Sequence, residues 1–295
     1  MLFLKTMKKI SIIGGSGFIG HNLALLLNQN GYKVSIIDNL EINNFGSVKK
    51  NDYQLPFPKL SKKILNQKIN FLKSNKMSVL KVDAKDHKKI NKILSKIQPN
   101  IIIHLAAVSH ANRSNTDPHK TFENSLVTLE NVLDYAKNKV DHFIFSSSSM
   151  VYGNFKTEEV NEESFCSPIG IYGAMKYSAE KIIQSYNANS KTTFMAVRFG
   201  NVLGSSGSAI PTFQKQINEG GPLTITHPEM TRYFMSIQEA SQLILQCGAL
   251  GRDGEIFLLE MGQPIRIVQM AKDLIRLSGF EPDVDIPIVF TGLRP

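Results

Sequence analysis

The sequence predicts an α/β fold in which a parallel β-sheet is covered by helices on both faces. From about residue 8 to residue 197, short runs rich in β-branched residues alternate with longer amphipathic stretches, which is typical of strand-helix-strand units. The chain has 295 residues, of which 42% are hydrophobic, enough for one large unit and a smaller second one. We therefore expect a main unit over residues 1–197 and a smaller C-terminal lobe over residues 198–295.

The first strand and the turn that follows it contain a glycine motif. Lys8 to Ile13 is a short β-branched run, and Gly14, Gly17 and Gly20 come directly after it, before an apolar periodic stretch that ends near Leu27. In a strand-turn-helix unit this spacing lets the backbone turn tightly and approach a pyrophosphate at the helix N-terminus. The motif predicts a dinucleotide-binding turn of the Rossmann type.

The second strand ends in a carboxylate that supports this interpretation. The run from Lys33 to Ile37 is followed by Asp38, eighteen residues after Gly20, where an acid can accept hydrogen bonds from an adenosine ribose. Because the same charge repels a 2′-phosphate, NAD is expected as the cofactor in preference to NADP.

The segment 41–77 has an irregular pattern and is interpreted as an insertion, or lid, over the edge of the cofactor site. It overlaps a lysine-rich stretch, residues 49–96, which holds fourteen lysines, three aspartates and no arginine. Aromatic side chains are not interleaved with these lysines as nucleic-acid stacking would require, so a solvated face is favoured and no nucleic-acid partner is expected. Attraction to an acidic surface, such as an anionic membrane, is the weaker alternative.

Two further strands carry expected cofactor contacts. The run from Ser78 to Val82 ends at Asp83, a candidate partner for the adenine amino group. The run from Asn100 to His104 is followed by the small residues Ala106 and Ala107, which leave room for the cofactor. His104 is interpreted as a core histidine rather than a ligand or base, because it ends an apolar strand.

The alternation continues into a serine run. Helices are expected over Asp86 to Ile97 and from about Pro118 to Ala136, and a fifth strand over His142 to Ser146. The serines that follow, Ser147 to Ser149, come directly after this strand, where sheets of this type bind their ligands. A flexible linker is the alternative interpretation of the run.

Tyr172 and Lys176 lie four residues apart, on one face of a predicted helix. A tyrosine of pKa ~10 must fall toward ~7 to act as a general base at neutral pH, a gap of about 4 kcal/mol. A positive charge ~4 Å away, at an effective dielectric of ~20, is worth a similar amount. Lys176, helped by the cationic ring of a cofactor, is therefore expected to lower the pKa of Tyr172. An ordinary amphipathic helix is the alternative interpretation, since such a pair is common.

Five motifs in this order resemble those of the extended short-chain dehydrogenase/reductase family of nucleotide-sugar epimerases and dehydratases. They are Gly14-x-x-Gly17-x-x-Gly20, Asp38-Asn39-Leu40, His104-Leu105-Ala106-Ala107, the serine run before Val151-Tyr152-Gly153, and Tyr172-x-x-x-Lys176. The resemblance implies an NAD that stays bound and cycles through NADH. It also implies that Tyr172 is the base, that Lys176 holds the nicotinamide ribose and that Ser148 hydrogen-bonds the sugar 4-oxygen.

The residues and the resemblance together give a set of expected cofactor-binding positions. They are Gly14, Gly17, Phe18, Ile19, Gly20, Asp38, Asn39, Asp83, Ala84, Leu105, Ala106, Ala107, Tyr172 and Lys176.

The C-terminal third looks like the polysaccharide-biosynthesis branch of that family, whose members act on UDP-N-acetylglucosamine. The matching segments are 198–204, 210–211, 220–228, 231–235 and 262–265. By that resemblance Asn201 and Arg232 contact the diphosphate and Arg294 closes on it, which suits the planar fork of an arginine. A surface salt bridge is the alternative for Arg232. The other expected substrate contacts are Ser109, His110, Ser149 and Met150.

Two departures from the family pattern affect the expected reaction. The positions of Ser149 and Met150 usually hold an acid pair, or an acid and a lysine, and neither serine nor methionine is a competent acid at pH 7. His110 or a glutamate of the 158–163 loop would have to replace them. The chain also stops at Pro295, where relatives continue, so the C-terminal lobe is expected to be incomplete.

These features favour an NAD-dependent 4-epimerase that acts on a UDP-N-acetylhexosamine through a 4-keto intermediate. A UDP-N-acetylglucosamine 4,6-dehydratase is the alternative, and a non-catalytic NAD-binding scaffold is a remote one. A scaffold would need none of Ser148, Tyr172 and Lys176.

The remaining expectations concern partners and compartment. Cys166 and Cys247 show neither metal-ligand spacing nor a disulfide framework, and no stretch approaches the ~18 apolar residues of a membrane span. A cytoplasmic protein without a metal or a transmembrane segment is therefore expected. The resemblance implies a homodimer in which helices near 118–136 and 173–188 form a four-helix bundle. The apolar positions expected in that contact are Leu126, Leu129, Leu133, Ile182 and Ile183.

Overall fold

The computed structural model describes residues 8–41, 58–109, 111–155, 160–205, 209–252 and 254–292. The chain forms two compact units. The first comprises Met1–Phe199 and Ala240–Leu259, and the second comprises Gly200–Glu239 and Glu260–Pro295. The sequence-based division at residue 197 places residues 240–259 in the C-terminal lobe, whereas they belong to the first unit.

The strands are numbered in chain order. They are β1 Lys9–Ile13, β2 Lys33–Asp38, β3 Ser78–Lys81, β4 Ile101–His104, β5 His142–Ser148, β6 Thr193–Phe199, β7 Asn201–Val202, β8 Leu223–Ile225, β9 Thr231–Arg232, β10 Phe234–Met235, β11 Ile256–Leu258, β12 Ile265–Arg266 and β13 Ile288–Phe290.

The helices are numbered in the same way. They are α1 Phe18–Gln29, α2 Pro58–Ser74, α3 His87–Ile97, α4 Ala111–Thr116, α5 Pro118–Phe122, α6 Thr128–Ala136, α7 Gly170–Asn187, α8 Ala209–Asn218, α9 Ile237–Leu250 and α10 Ile267–Leu277, with a π-helical turn at Glu123–Val127 and a 3-10 turn at Ser149–Val151. In the described part of the chain, no helix has the length and apolar character needed to cross a membrane.

A seven-stranded parallel sheet forms the first unit, in the order β11-β6-β5-β4-β1-β2-β3. The direction of winding reverses between β1 and β4, because β2 and β3 extend the sheet on one side and β4 to β6 on the other. Ile13 at the end of β1 lies opposite Ile37 of β2 and His104 of β4. The predicted α/β fold is confirmed, and ligands of such sheets bind beyond the carboxyl ends of the strands at this reversal.

The lysine-rich insertion contains a helix that its composition conceals. An irregular structure is predicted for residues 41–77, but α2 occupies 17 residues of that segment. Leu72 of α2 is fully buried, whereas Ile64 and Phe71 are exposed. The prediction is wrong for α2 because frequent lysines mask the apolar period that directs one face of the helix inward. The rest of the insertion, residues 42–57, lies outside the described residues.

Two other elements differ from their predicted bounds. The helix predicted over 118–136 is interrupted by the π-helical turn at Glu123–Val127, which adds a residue to one turn and rotates the faces after it. Strand β5 continues two residues past its predicted end, to Ser148. Most of the serine run therefore belongs to the strand and is held by the sheet rather than forming a linker.

Three of the five apolar positions expected at a dimer contact are buried in the interior of the first unit. Leu129, Leu133 and Ile183 are buried in its core, and Leu126 and Ile182 pack against that core while partly exposed. The assignment of Leu129, Leu133 and Ile183 to the dimer contact is therefore wrong, because these side chains are buried within the unit. The homodimer itself stays a prediction.

The second unit is organised by short strand pairs. Strands β7 and β10, and β8 and β13, pair in parallel, and β9 pairs with β12 in antiparallel register. Its core is formed by α8, α10 and the β8–β13 pair. The buried residues of this core are Phe213, Ile217, Leu223, Ile225, Ile267, Ala271, Ile275 and Ile286.

A buried ion pair fastens α7 to the sheet. Glu180 of α7 accepts two hydrogen bonds from Arg198 of β6, at 3.0 Å from Nε and 2.8 Å from Nη2, and both side chains are almost completely buried. Ser147 of β5 donates to the same carboxylate at 2.5 Å, and Arg198 donates to the Tyr152 hydroxyl at 2.8 Å. The pair fixes the position of α7 over β5 and β6.

We expect Glu180→Gln to lower the free energy of unfolding by about 3 to 5 kcal/mol, because it leaves the Arg198 charge buried without its partner. The matched control is Asp134→Asn, which removes an exposed carboxylate paired with His87 at 2.8 Å. That change should cost less than about 1 kcal/mol. Urea denaturation of both variants measures the difference, and equal losses would show that the buried pair does not stabilise the unit.

Candidate active site

The turn after β1 brings three predicted cofactor segments together. The amide of Gly14 donates to the carbonyl of Ile37 at 2.8 Å, and Leu105 donates to the carbonyl of Ile13 at 2.8 Å. Gly14 has φ +79°, and a Cβ at this position would lie 2.7 Å from the amide nitrogen of Ala106. Only glycine fits this close approach of the turn after β1 to the loop after β4.

Helix α1 begins at this turn with its N-terminus uncapped by side chains. Gly17 is the N-cap residue and offers no side-chain hydrogen bond, and the first turn of α1, which includes Phe18 and Ile19, has no acidic residue. A Cβ on Gly20 would lie 2.6 Å from the Cα of Gly15, so the helix packs directly on the turn. The amide groups and the positive end of the helix dipole can therefore bind an anion such as a pyrophosphate.

Asp38 ends β2 beside the same turn. Its Oδ2 accepts from the amide of Ser16 at 2.9 Å, and its Oδ1 accepts from the amide of Leu40 at 2.7 Å. Leu40 has φ +65°, an unfavourable conformation for a leucine that this hydrogen bond helps to hold. Burial raises the pKa of the Asp38 carboxyl, although the two amides oppose that change. Asn39 lies next to it and accepts from the amide of Glu41.

The other predicted cofactor residues lie after β3 and β4. Asp83 accepts from the amide of Lys85 at 2.9 Å, and Ala84 and Ala107 are buried. His104 is fully buried between Phe143 and Phe145, and burial lowers its pKa to about 3. A neutral histidine enclosed by two aromatic rings agrees with its interpretation as a core residue.

Ser148, Tyr172 and Lys176 come together at the end of β5. The Ser148 hydroxyl, at the end of the strand, lies close enough to the Tyr172 phenol of α7 to lower its pKa. Lys176, one turn further along α7, donates to the carbonyl of Ser146 at 2.5 Å, and its Nζ lies 5.9 Å from the centre of the Tyr172 ring. Lys176 is 5% exposed, so its charge is enclosed by the protein.

Lys176 is not among the groups that shift the pKa of Tyr172 in the chain alone, and its expected effect together with a cationic cofactor ring stays a prediction. Burial raises the pKa of Tyr172, and only the hydrogen bond from Ser148 lowers it. Burial also lowers the pKa of Lys176 to about 8, while the nearby Glu180 raises it. The Lys176 ammonium donates to the Ser146 carbonyl rather than to the phenol oxygen.

Sequence reasoning missed Glu180, although a signal for it was present. Glu180 lies four residues after Lys176 and eight after Tyr172, on the same face of α7. Its carboxylate favours the charged form of Lys176 and accepts a hydrogen bond from Arg198 of β6. We assign Glu180 a positioning role because it bonds Ser147 and Arg198, which hold α7 in place, rather than the phenol of Tyr172.

The 3-10 turn after β5 carries two predicted substrate residues. Met150 is 42% exposed, and its amide donates to the Ser148 hydroxyl at 3.2 Å. A Cβ on Gly173 would lie 2.6 Å from the Met150 carbonyl oxygen, so glycine lets α7 approach this turn. Ser149 is part of the same turn, and Ser109 is exposed after β4. His110 lies outside the described residues.

The second unit holds the remaining predicted substrate residues. Asn201 of β7 is exposed and donates to the carbonyl of Tyr233 at 2.9 Å. Arg232 of β9 is exposed and donates to the carbonyl of Thr231 at 2.8 Å. Among the described residues Arg232 forms no salt bridge, so that alternative finds no support. Arg294 lies outside the described residues.

The seven-stranded sheet, the glycine turn after β1 and the Tyr-Lys pair beside β5 define the extended short-chain dehydrogenase/reductase class. A family described as "Polysaccharide biosynthesis protein" matches residues 10–295. The chain belongs to this family.

Individual relatives agree with this assignment. The capsular polysaccharide biosynthesis protein CapD of Staphylococcus aureus is 38% identical over 294 residues, which are 98% of this chain and 44% of that protein. The inverting UDP-N-acetylglucosamine 4,6-dehydratase of Campylobacter jejuni is 26% identical over 85% of this chain and 66% of its own length. The UDP-glucose 4-epimerase of Thermotoga maritima, solved with UDP-glucose, is 25% identical with a TM-score of 0.75 and coverages of 97% and 86%. The chain spans less than half of the CapD relative.

We expect Gly14→Ala to destabilise the protein more than Gly31→Ala. Both glycines have positive φ, +79° and +82°, but a Cβ on Gly31 would meet no atom within 4 Å. Gly31→Ala should cost about 1 to 2 kcal/mol for its backbone conformation, and Gly14→Ala about 1 to 3 kcal/mol more for the collision with Ala106. Urea denaturation compares the two variants. Equal losses would mean that the turn and the loop after β4 are not in close contact.

Proposed function

We propose that this chain is the catalytic part of an NAD-dependent enzyme that epimerises a UDP-N-acetylhexosamine at C4 through a 4-keto intermediate. The observation that carries the proposal is that Ser148, the last residue of β5, lies close enough to Tyr172 of α7 to lower its pKa, with Lys176 one turn along the same helix and bonded to the Ser146 carbonyl. A phenol beside a serine hydroxyl at the carboxyl edge of the sheet suits proton transfer to and from a sugar hydroxyl.

The residues at the glycine turn fit a dinucleotide. The turn leaves no space for a Cβ at Gly14 or Gly20, and α1 presents its amide groups without a competing side-chain cap. The pyrophosphate would bind at this helix N-terminus and the adenosine ribose at Asp38. Bound NAD would supply a hydride acceptor for C4 and, in its oxidised form, a positive charge.

The proton transfers would be made by residues of α7 and β5. Tyr172 would take the proton of the 4-hydroxyl group as C4 is oxidised and return it when C4 is reduced on the other face. Ser148 would hydrogen-bond the same sugar oxygen. Because burial raises the pKa of Tyr172, a positive charge must come close to the phenol before it can act as a base at neutral pH.

Epimerisation is favoured over dehydration because the described residues show no evident acid for the second reaction. Dehydration must remove the C5 proton and protonate the C6 oxygen, and Ser149 and Met150 can do neither. The Glu162 carboxylate accepts from the amide of Leu258 at 3.0 Å, which engages it elsewhere. Glu158, Glu159 and His110 lie outside the described residues. Dehydration stays the second candidate because the chain is similar to the dehydratase of Campylobacter jejuni.

The substrate assignment rests on chemistry of the second unit and on the relatives. Asn201 and Arg232 are exposed polar residues, and Arg232 has guanidinium donors for a diphosphate beyond its bond to Thr231. We propose that both contact the UDP part of the substrate, together with Arg294, and that the sugar lies near Ser109 and Met150. A homodimer, which the family resemblance implies, and a cytoplasmic location, which the cysteine usage favours, complete the proposal.

Incubation with UDP-N-acetylglucosamine and NAD tests the function. We expect a product of unchanged mass with inverted configuration at C4, detected by mass spectrometry and proton NMR. The control is Tyr172→Phe, which keeps the ring but lacks the proton-accepting oxygen and should lose at least ~10² in rate. Tyr177→Phe on the same helix should retain the activity.

Two outcomes would contradict this assignment. A product lighter by one water, with solvent deuterium in the sugar, would establish the dehydratase instead. Absence of turnover with every UDP-sugar, in a protein that binds NAD, would favour the scaffold.

A further inference from the structure

The insertion helix α2 places one lysine on the glycine turn. Lys68 Nζ donates to the carbonyl of Ser16 at 2.6 Å and lies 3.4 Å from the carbonyl of Gly17. Lys63 and Lys73 on the same helix are exposed, whereas Lys68 is half-buried. Lys68 thus differs from its neighbours, which form the solvated face that the composition predicts.

The position of Lys68 is electrostatically unfavourable unless an anion is near. It lies at the N-terminus of α1, where the helix dipole repels a positive charge. Burial lowers the pKa of Lys68 to about 8, and the carboxylate of Asp38 raises it. The neighbouring His21 does not compensate, because burial and Lys68 lower its pKa to about 4 and leave it neutral at pH 7. Among Lys68, His21 and Asp38, only the Asp38 carboxylate stabilises the positive charge of Lys68.

Ser16 connects the two charges through its own peptide groups. Its amide donates to Asp38 at 2.9 Å, and its carbonyl accepts from Lys68 at 2.6 Å. The ammonium is thereby held on the turn beside the carboxylate that is expected to bind the adenosine ribose. A 2′-phosphate bound at this ribose would be repelled by Asp38 and attracted by Lys68.

We propose that Lys68 is a cofactor-specificity residue that offsets Asp38 and gives the protein measurable affinity for a 2′-phosphorylated dinucleotide. This inference rests on the proposed dinucleotide site. It assigns a role to the insertion: α2 delivers a positive charge to the adenosine side of the cofactor, so that NAD is preferred over NADP without NADP being excluded.

Binding of NAD and NADP to wild type, Lys68→Met and Lys63→Met, measured by isothermal titration calorimetry at one ionic strength, tests the proposal. We expect Lys68→Met to raise the Kd for NADP about tenfold, the effect of ~1.4 kcal/mol of lost attraction, and the Kd for NAD less than about threefold. Lys63→Met removes the same charge from the exposed face of α2 and should change neither Kd. Lys68→Arg keeps the charge and should keep NADP binding.

Several results would overturn the proposal. Equal weakening of NAD and NADP in Lys68→Met would place the lysine on the shared phosphates, and unchanged binding of both would leave it a purely structural contact. A wild type that binds NAD but not NADP would also reject it. A wild type that binds neither would reject the proposed function itself. If Lys68→Met unfolds at a lower temperature than the binding assay allows, Lys68→Gln provides the same comparison.

Discussion

The carboxylate of Glu180 is the point on which the arrangement of the first unit depends. It bonds Arg198 of β6 twice, accepts from Ser147 of β5 and favours the charged form of Lys176 on its own helix. These contacts join two central strands to α7, the helix that carries both predicted catalytic side chains. Because the ions are buried, each is costly without the other, and α7 cannot shift along the sheet without separating them.

Burial also determines the protonation states of the predicted catalytic pair, Tyr172 and Lys176, on the same helix. Burial moves the pKa of Tyr172 up and that of Lys176 down, so both groups are biased toward their neutral forms. Tyr172 is therefore a poor base in the chain by itself. A positively charged ring close to the phenol would change this, so the proposed chemistry depends on a dinucleotide bound at the turn after β1. Gly14 allows this turn to lie close to the loop after β4.

Much of this architecture could be predicted from the sequence, because it follows from local periodicity and from residue types with one physical role. The glycine spacing, Asp38 at the end of β2 and the Tyr172–Lys176 pair are such features. The interior network was not predictable in the same way, since Arg198 and Glu180 are eighteen residues apart and meet only when α7 packs on β6. Helix α2 was missed for a different reason. Its many lysines hide the amphipathic period in the sequence, although one face of the helix buries Leu72. The return of residues 240–259 to the first unit depends on tertiary packing and leaves no local signal.

Titration of Tyr172 tests most directly whether the Tyr172–Lys176 pair needs a bound cofactor before Tyr172 can act as a base. The measurement is the ultraviolet absorbance of tyrosinate against pH, taken as the difference between wild type and Tyr172→Phe, with and without saturating NAD. The account predicts that Tyr172 titrates above the ordinary tyrosine pKa of ~10 in the free protein and at a clearly lower pH with NAD bound. A midpoint that is already low in the free protein, or one that NAD leaves unchanged, would contradict it.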